Sequence, residues 1–255
     1  MAVIKTEALY KQVANEMRNS ITSGEWPPGS KVPTEEQLSA LYEVSRPTVR
    51  QAAAALRTEG LLDIRQGKGT YVRDRSTGAA AIMNRNITRT ATGYAFDADA
   101  WTQAEEPTSV RLRIDPDSAA LLDIAPGEAA YGIERPLIHQ PTGTRALHRM
   151  ILPMERITGT PLAKKPTIQV SDVFAALAAA HGELEWHETV DARMPHPDER
   201  ASLHLPEAVP LLIAQRLTLT EADQRPLTLE TTSLGAGRAR FAYTIQAGGA
   251  VGEQL

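Results

Sequence analysis

Residues 34–72 constrain the fold of this chain more than any other segment, because they combine two helix patterns, a tight turn and a glycine-tipped hairpin. Thr34, with Gln37 three residues later, is typical of a capping box that starts a helix. Ser45 is a suitable N-cap for a second helix, and Pro47 in its first turn costs no hydrogen bond. This order of elements predicts a winged helix-turn-helix.

The second predicted helix has an apolar face and a polar start. Its apolar face is formed by Val49, Ala52, Ala53 and Leu56. Arg46, Thr48 and Arg50 are left on the N-terminal turns, where such a helix meets base edges in DNA. An arginine there can form two hydrogen bonds to guanine, worth about 1–3 kcal/mol of discrimination, and Thr48 suits a phosphate. The alternative is that both arginines are ordinary solvated residues.

The segment closely resembles the DNA-binding domain of the GntR family of bacterial repressors. The motifs that carry the resemblance are Ile21–Gly24 with Pro28–Gly29, Pro33-x-Glu35, Val44-Ser45-Arg46-x-Thr48-Val49-Arg50 and Gly67-Lys68-Gly69. The resemblance implies a homodimer that binds a palindromic operator in double-stranded DNA and is released by a small-molecule effector bound to a second domain.

The same resemblance implies roles for individual residues. Arg46 and Arg50 would contact bases. The residues that would hold the DNA backbone or minor groove are Thr48, Gln66, Gly67 and Lys68. Glu36 stands where some relatives carry a basic DNA contact, which predicts a smaller footprint or a different site preference.

Length and charge fit a two-part protein. We predict a DNA-binding domain over 1–75, a linker over 76–93 that also holds the entry strand of the second domain, and an effector-binding and dimerisation domain over 94–255. The first 75 residues carry 11 Lys and Arg against 9 Asp and Glu, and the remainder is acidic. Because phosphate neutralisation dominates DNA affinity, one such domain alone should bind weakly and two half-sites should be needed.

Several classes of function are disfavoured. The chain has no cysteine, which excludes disulfides and thiolate metal sites and fits a reducing cytoplasm. No apolar run approaches membrane length, and the charged N-terminal segment does not resemble a signal peptide. His187 and Asp191 lack the geometry of a helical metal site. We therefore expect a cytoplasmic protein with no membrane partner, no metal and no cofactor.

The second half contains an internal repeat at an offset of 81 residues, in which Pro116-Asp117 matches Pro197-Asp198 and Arg135 matches Arg216. Each copy has the pattern of a strand, a helix opened by Pro-Asp, and a long hairpin. This pattern predicts an α+β domain, one antiparallel sheet with helices on one face. The predicted elements are hairpins at 129–139 with 144–152 and 211–220 with 226–234, helices at 6–23 and 171–181, and a last strand at 240–246.

This half resembles the effector domain of the HutC-like branch of the GntR family, the UTRA domain, which has a chorismate-lyase-like fold. The resemblance rests on Leu121–Gly127, Ile133–Arg135, Leu147–Pro153, Leu205–Leu212 and Pro226–Glu230. The effector-binding candidates that it implies are Arg135, His148 or Arg149, and Glu230. Relatives that bind sugar phosphates carry Arg-x-Arg where this chain has Arg135-Pro136-Leu137, which argues against a phosphorylated sugar.

Two alternatives remain open at this point. Arg135 and Glu230 could clamp a ligand, or they could form a structural ion pair across the two repeats. Arg85 and Arg89 in the predicted linker could contact DNA or an acidic pocket wall, although solvated linker charge is the favoured interpretation. The leading function is a ligand-responsive repressor, and the alternative is a constitutive repressor of the plasmid-transfer type without a ligand. An enzyme is disfavoured, since a fold does not carry an activity and no paired carboxylates or nucleophile–base pair stand out.

Overall fold

The computed structural model describes residues 8–65, 67–73, 80–91, 93–96, 100–166, 169–206 and 208–245. The chain folds into two compact units. The first unit consists of Met1–Ala79 with Met194–Pro210, and the second of Ala80–Arg193 with Leu211–Leu255. The segment 194–210, expected in the effector domain, therefore groups with the N-terminal unit.

The N-terminal part of the first unit is a winged helix-turn-helix, as predicted. Its elements are α1 Leu9–Thr22, α2 Glu35–Leu41, α3 Arg46–Thr58, β1 Leu62–Arg65 and β2 Gly69–Val72. Both predicted helix caps are present: the Thr34 hydroxyl accepts from Gln37 N at 3.3 Å, and the Ser45 hydroxyl accepts from Thr48 N at 3.4 Å. Fully buried Met17, Val49 and Leu56 pack the helices together, so the polar start of α3 is free to face outward.

The second unit is built on a seven-stranded antiparallel sheet with the strand order β10-β11-β12-β9-β8-β6, in which β7 also pairs with β8. The strands of this unit are β3 Ala81–Asn84, β4 Ile87–Thr90, β5 Gly93–Phe96, β6 Trp101–Gln103, β7 Thr108–Arg113, β8 Ala129–His139, β9 Thr144–Pro153, β10 Leu184–Arg193, β11 Leu211–Thr220, β12 Pro226–Gly235 and β13 Ala239–Ala242. The remaining helices are α4 Pro116–Leu122, α5 Met154–Ile157, α6 Val170–His181 and α7 Pro197–Ser202, with a 3-10 turn at Pro161–Ala163. The predicted α+β class is confirmed.

The internal repeat is visible in the topology. The first copy runs β7-α4-β8-β9 and the second runs β10-α7-β11-β12. Both hairpins have the predicted bounds to within one residue. Register places Arg135 opposite His148 in the first copy and Arg216 opposite Glu230 in the second. These two residue pairs are therefore structurally equivalent.

The second half of the segment 76–93 contains β3 and β4. Ala81 of β3 pairs with Ala239 of β13 in a parallel ladder, so this part of the segment belongs to the second unit. The four-residue alternation of β3 is too short to stand out in the sequence. The predicted last strand likewise ends earlier, at Ala242.

Phe174 is the centre of the apolar core of the second unit. It is fully buried, and its ring lies 6.3 Å from Tyr94 and 5.3 Å from Trp186, measured between centroids. This cluster packs α6 against β5 and the sheet and so fixes the position of the helix start.

We expect Phe174→Ala to lower the free energy of unfolding of the second unit by about 3–5 kcal/mol, because it opens a cavity in a closely packed core. Phe174→Leu should cost less, since it keeps most of the apolar volume. Urea unfolding followed by tryptophan fluorescence measures both. Equal losses for the two variants would contradict the cavity explanation.

Candidate nucleic-acid interface and ligand cavity

The start of α3 presents a polar, exposed surface. The Arg46 and Arg50 side chains are 56% and 69% exposed. The Thr48 hydroxyl lies 2.8 Å from the Ser45 hydroxyl, so the residue that caps the helix also orients Thr48. Groups that can donate to bases or phosphates therefore stand together on one helix end.

Each of these arginines is already paired with a carboxylate of α2. Arg50 donates to Glu35 through Nη2 at 2.7 Å and Nε at 3.0 Å, and these hydrogen bonds lower the pKa of Glu35. Arg46 Nη2 lies 2.8 Å from Glu36. Any anionic ligand at this surface must exchange with these carboxylates.

The hairpin tip between β1 and β2 depends on glycine. Gly67 and Gly69 have φ values of 71° and 113°, a region that favours glycine. A Cβ at Gly69 would also lie 2.9 Å from Cε of Lys31. Lys68 between them is exposed, and Gln66 lies outside the described residues.

The second unit contains a cavity of about 500 Å³, which is lined by residues of several strands and of α6. Its charged and ionisable lining residues are Arg85, Arg135, His148, Arg216 and Glu230. Its large apolar lining residues are Phe96, Trp101, Leu137 and Val170. A cavity with an apolar part and a few buried polar groups is the usual form of a small-molecule site.

His148 and Glu230 form a buried pair in this cavity. His148 Nε2 lies 2.8 Å from Glu230 Oε2, and because a carboxylate only accepts, the imidazole donates through Nε2. Burial lowers the pKa of His148, against the opposing effect of Glu230. Burial would raise the pKa of Glu230, but the hydrogen bond from His148 and the charge of Arg216 bring it below its usual value.

Arg85 and Arg216 share the carboxylate of Glu188. Arg85 Nη2 donates to Glu188 Oε2 at 2.7 Å, and Arg216 Nε makes an ion pair with the same oxygen at 2.6 Å. Tyr243 donates to Glu188 Oε1 at 2.6 Å, and burial with this carboxylate raises the pKa of Tyr243 to about 12. Glu188 therefore neutralises only one of the two arginines.

The structure brings Arg135, His148 and Glu230 together and leaves Arg149 apart. Side chains alternate along a strand, so Arg149 lies on the other face of β9, where its Nε donates to Glu134 at 2.8 Å. Arg149 is 44% exposed and does not line the cavity.

Two charged residues of the cavity lining, Arg85 and Arg216, were not among the predicted effector-binding candidates. The Arg85 side chain is only 8% exposed and pairs with Glu188, which agrees with the pocket-wall alternative and not with the favoured solvated one, whereas Arg89 is 65% exposed. Arg216 is 3% exposed. The repeat offset that matches Arg216 to Arg135 is the sequence signal that could have identified it.

The start of α6 also borders the cavity, through Gln169, Val170 and Ser171. The Gln169 side chain makes no capping hydrogen bond. A helix N-terminus carries a partial positive charge, which adds to that of the arginines.

Residues 9–72 match the family model of bacterial regulatory proteins of the gntR family. This domain belongs to the GntR family. The chain is 46% identical over 66 residues to the mannosyl-D-glycerate transport/metabolism system repressor of Escherichia coli K12. The aligned residues make up 26% of this chain and 28% of the relative. It is also 31% identical over 125 residues to the histidine utilization repressor of Pseudomonas aeruginosa, and these residues make up 48% of each protein.

The chain thus spans between a quarter and a half of the length of these relatives. The longer match extends beyond the GntR domain, in agreement with a HutC-like second domain. Both relatives are named as repressors. A crystal structure assigned to a GntR-family transcriptional regulator superposes with a TM-score of 0.68 at 24% identity, over 95% of this chain and 99% of that one, which shows a shared fold.

Within the described ranges, no three His, Asp or Glu side chains lie close enough together to hold a metal ion. No helix in these ranges combines the length and apolar character needed to cross a bilayer.

The His148–Glu230 pair predicts a loss of stability in acid. Because the folded-state pKa of His148 is lowered, its contribution is complete above about pH 6.5 and falls as the pH drops below that value. Glu230, also lowered, adds a loss below about pH 4.5. We expect His148→Gln to remove the first of these losses and to keep the second, in urea midpoints measured against pH.

His187→Gln is the matched control, since His187 is an exposed histidine of the same unit. It should keep the loss of stability below about pH 6.5 that is assigned to His148. If the urea midpoints of His148→Gln matched those of the wild type between pH 5 and pH 6.5, the loss in that range could not be assigned to His148.

Proposed function

We propose that the protein is a transcriptional regulator, acting as a repressor, that binds a palindromic operator as a homodimer and is released by a small-molecule effector. The observation that carries the DNA-binding part is the exposed start of α3, with Arg46, Thr48 and Arg50 together, in a domain of the GntR family. Base contacts would come from the two arginines. Backbone contacts would come from Thr48 and the hairpin tip at Gly67 and Lys68.

A dimer explains how a domain of small net charge reaches a useful affinity. Two copies of α3 placed about 34 Å apart would enter successive major grooves on one side of the DNA. Each half-site alone would bind weakly, so any change that spoils the spacing of the two domains releases the DNA. An effector therefore needs only to shift this spacing.

The cavity of the second unit supports an effector-responsive repressor over a constitutive one. Buried charges are costly unless a structure or a ligand uses them, and this cavity retains several beside open volume. The effector-binding residues would be Arg135, His148 and Glu230, joined by Arg216.

Chain connectivity offers a route from the cavity to the DNA-binding domain. The segment 194–210 leaves β10 and returns as β11, and it groups with the first unit. Glu188 of β10 and Arg216 of β11 are joined by the ion pair beside the cavity. A ligand that moves these strands would move the two ends of this segment, and by linkage operator DNA would weaken effector binding by the same factor.

We expect Arg46→Ala and Arg50→Ala each to cost about 1–3 kcal/mol in binding to the selected operator and to relax preference at one base pair. The operator is found by sequencing genomic fragments that the purified protein retains, and affinities follow from fluorescence anisotropy. Arg111→Ala is the matched control, because Arg111 is an exposed arginine of β7. Failure to retain any common motif would contradict the proposed function.

We expect Glu36→Gln to raise affinity for non-operator DNA by roughly two- to fivefold at low salt, because it frees Arg46 from a surface ion pair worth up to about 1 kcal/mol. The gain should shrink as salt screens the charges. Glu25→Gln removes the same charge from an exposed site before the helix-turn-helix. An equal gain in that control would mean that net charge alone is responsible.

A further inference from the structure

The hairpin β1–β2 of the DNA-binding domain is flanked by a third segment of chain, which contains Lys31. Val32 N donates to Thr70 O at 2.9 Å, and Lys31 forms an antiparallel bridge with Tyr71. Lys31 precedes the helix-turn-helix in the chain and belongs to neither strand of the hairpin. The pairing nevertheless fixes its backbone beside β2.

The side chain of Lys31 reaches from this bridge toward the tip of the hairpin. A Cβ on Gly69, if the residue had one, would lie 2.9 Å from Lys31 Cε and 3.7 Å from Lys31 Nζ. The absence of a side chain on Gly69 therefore leaves room for the lysine. Lys31 and Lys68 are both exposed, so the tip carries two lysines that come from different segments of the chain.

Lys31 also lies on the same side of the domain as the base-contacting part of α3. A cavity of about 320 Å³ lies between α3 and the hairpin, and its lining includes Lys31, Thr34, Arg50 and Gly69. Arg50 is one of the two arginines that are proposed to contact bases. Lys31 and Arg50 thus border one groove, with the hairpin tip on one side and α3 on the other.

The two sides of this groove differ in charge. On the helix side, Arg46 and Arg50 are each paired with a carboxylate of α2, and each pair has no net charge. On the hairpin side, Lys31 and Lys68 form no ion pair with any residue that the structure describes. Because each phosphate that a lysine neutralises releases a counterion, the hairpin side is the better suited to hold the DNA backbone.

Resting on the proposed DNA-binding function, we infer that Lys31 is a further DNA-binding residue, which contacts a backbone phosphate through its ammonium group. The ammonium group lies at the hairpin tip and not on α3, the helix that would enter the major groove. An ammonium group is a point charge that suits phosphate, and such a contact positions the protein without reading sequence. Gly69 has a second role here, since it lets the Lys31 side chain reach the tip.

The test uses the full-length protein, the operator duplex selected from genomic DNA, and a duplex of unrelated sequence. Fluorescence anisotropy gives the Kd for each duplex at several salt concentrations. Lys31→Gln should weaken binding to both duplexes several-fold and by the same factor. It should also lower the slope of log Kd against log salt concentration by about 0.9 for each lysine, or about 1.8 for a dimer. Lys31→Arg keeps the charge and should keep the wild-type slope.

Lys165→Gln is the matched control, because it removes the same charge from an exposed lysine of the second unit. It should leave both the affinity and the slope unchanged. Since Lys31 is exposed, Lys31→Gln should keep the wild-type melting temperature, which thermal unfolding measures.

The inference is wrong if Lys31→Gln keeps the wild-type slope or if Lys165→Gln lowers the slope equally. It is also wrong if Lys31→Gln weakens binding to the operator alone, because Lys31 would then read bases and not hold the backbone. Failure of the wild-type protein to bind either duplex would remove the proposed function together with the inference. Operator binding by the wild type, with an unchanged slope in Lys31→Gln, would remove only the inference.

Discussion

The structure of the second unit depends on the pairing of charges that are buried in its sheet. Glu188, Arg216 and Glu230 face one another on three neighbouring strands, and Arg85 closes the group through its bonds to Glu188. Removing one member would leave an uncompensated charge in a medium that solvates it poorly, which costs about 3–5 kcal/mol. These residues therefore constrain the register of the three strands and the position of the chain at Arg85. Because Arg85, Arg216 and Glu230 also line the cavity, the same pairing fixes part of the cavity wall.

The DNA-binding domain follows the opposite principle, since its functional charges are exposed. The Arg50–Glu35 and Arg46–Glu36 pairs lie at the surface, where water screens them and each contributes little to stability. They hold the guanidinium groups in place without a desolvation cost and can open at a small energetic cost. One protein thus uses paired charges in two ways, as a rigid frame inside one unit and as an exchangeable contact on the other.

The parts of the fold that could be predicted from the sequence are those with local signals. Thr34 and Ser45 are caps that act within four residues, and the long hairpins alternate over ten residues or more. Arg85 could not be placed, because its carboxylate partner is 103 residues away and β3 is only four residues long. The choice between His148 and Arg149 needed the register with β8, which no local pattern supplies.

The repeat has a consequence for how a ligand is oriented. Equivalent positions in the two copies carry Arg135 with His148 on one side and Arg216 with Glu230 on the other. Had both copies kept the same pair, the two repeats would present the same polar groups to the cavity, and only elements outside the repeat, such as the start of α6, would distinguish its two ends. Because one copy carries an imidazole where the other carries a carboxylate, the repeats themselves add a difference in charge between the two ends, which can distinguish the head of a ligand from its tail.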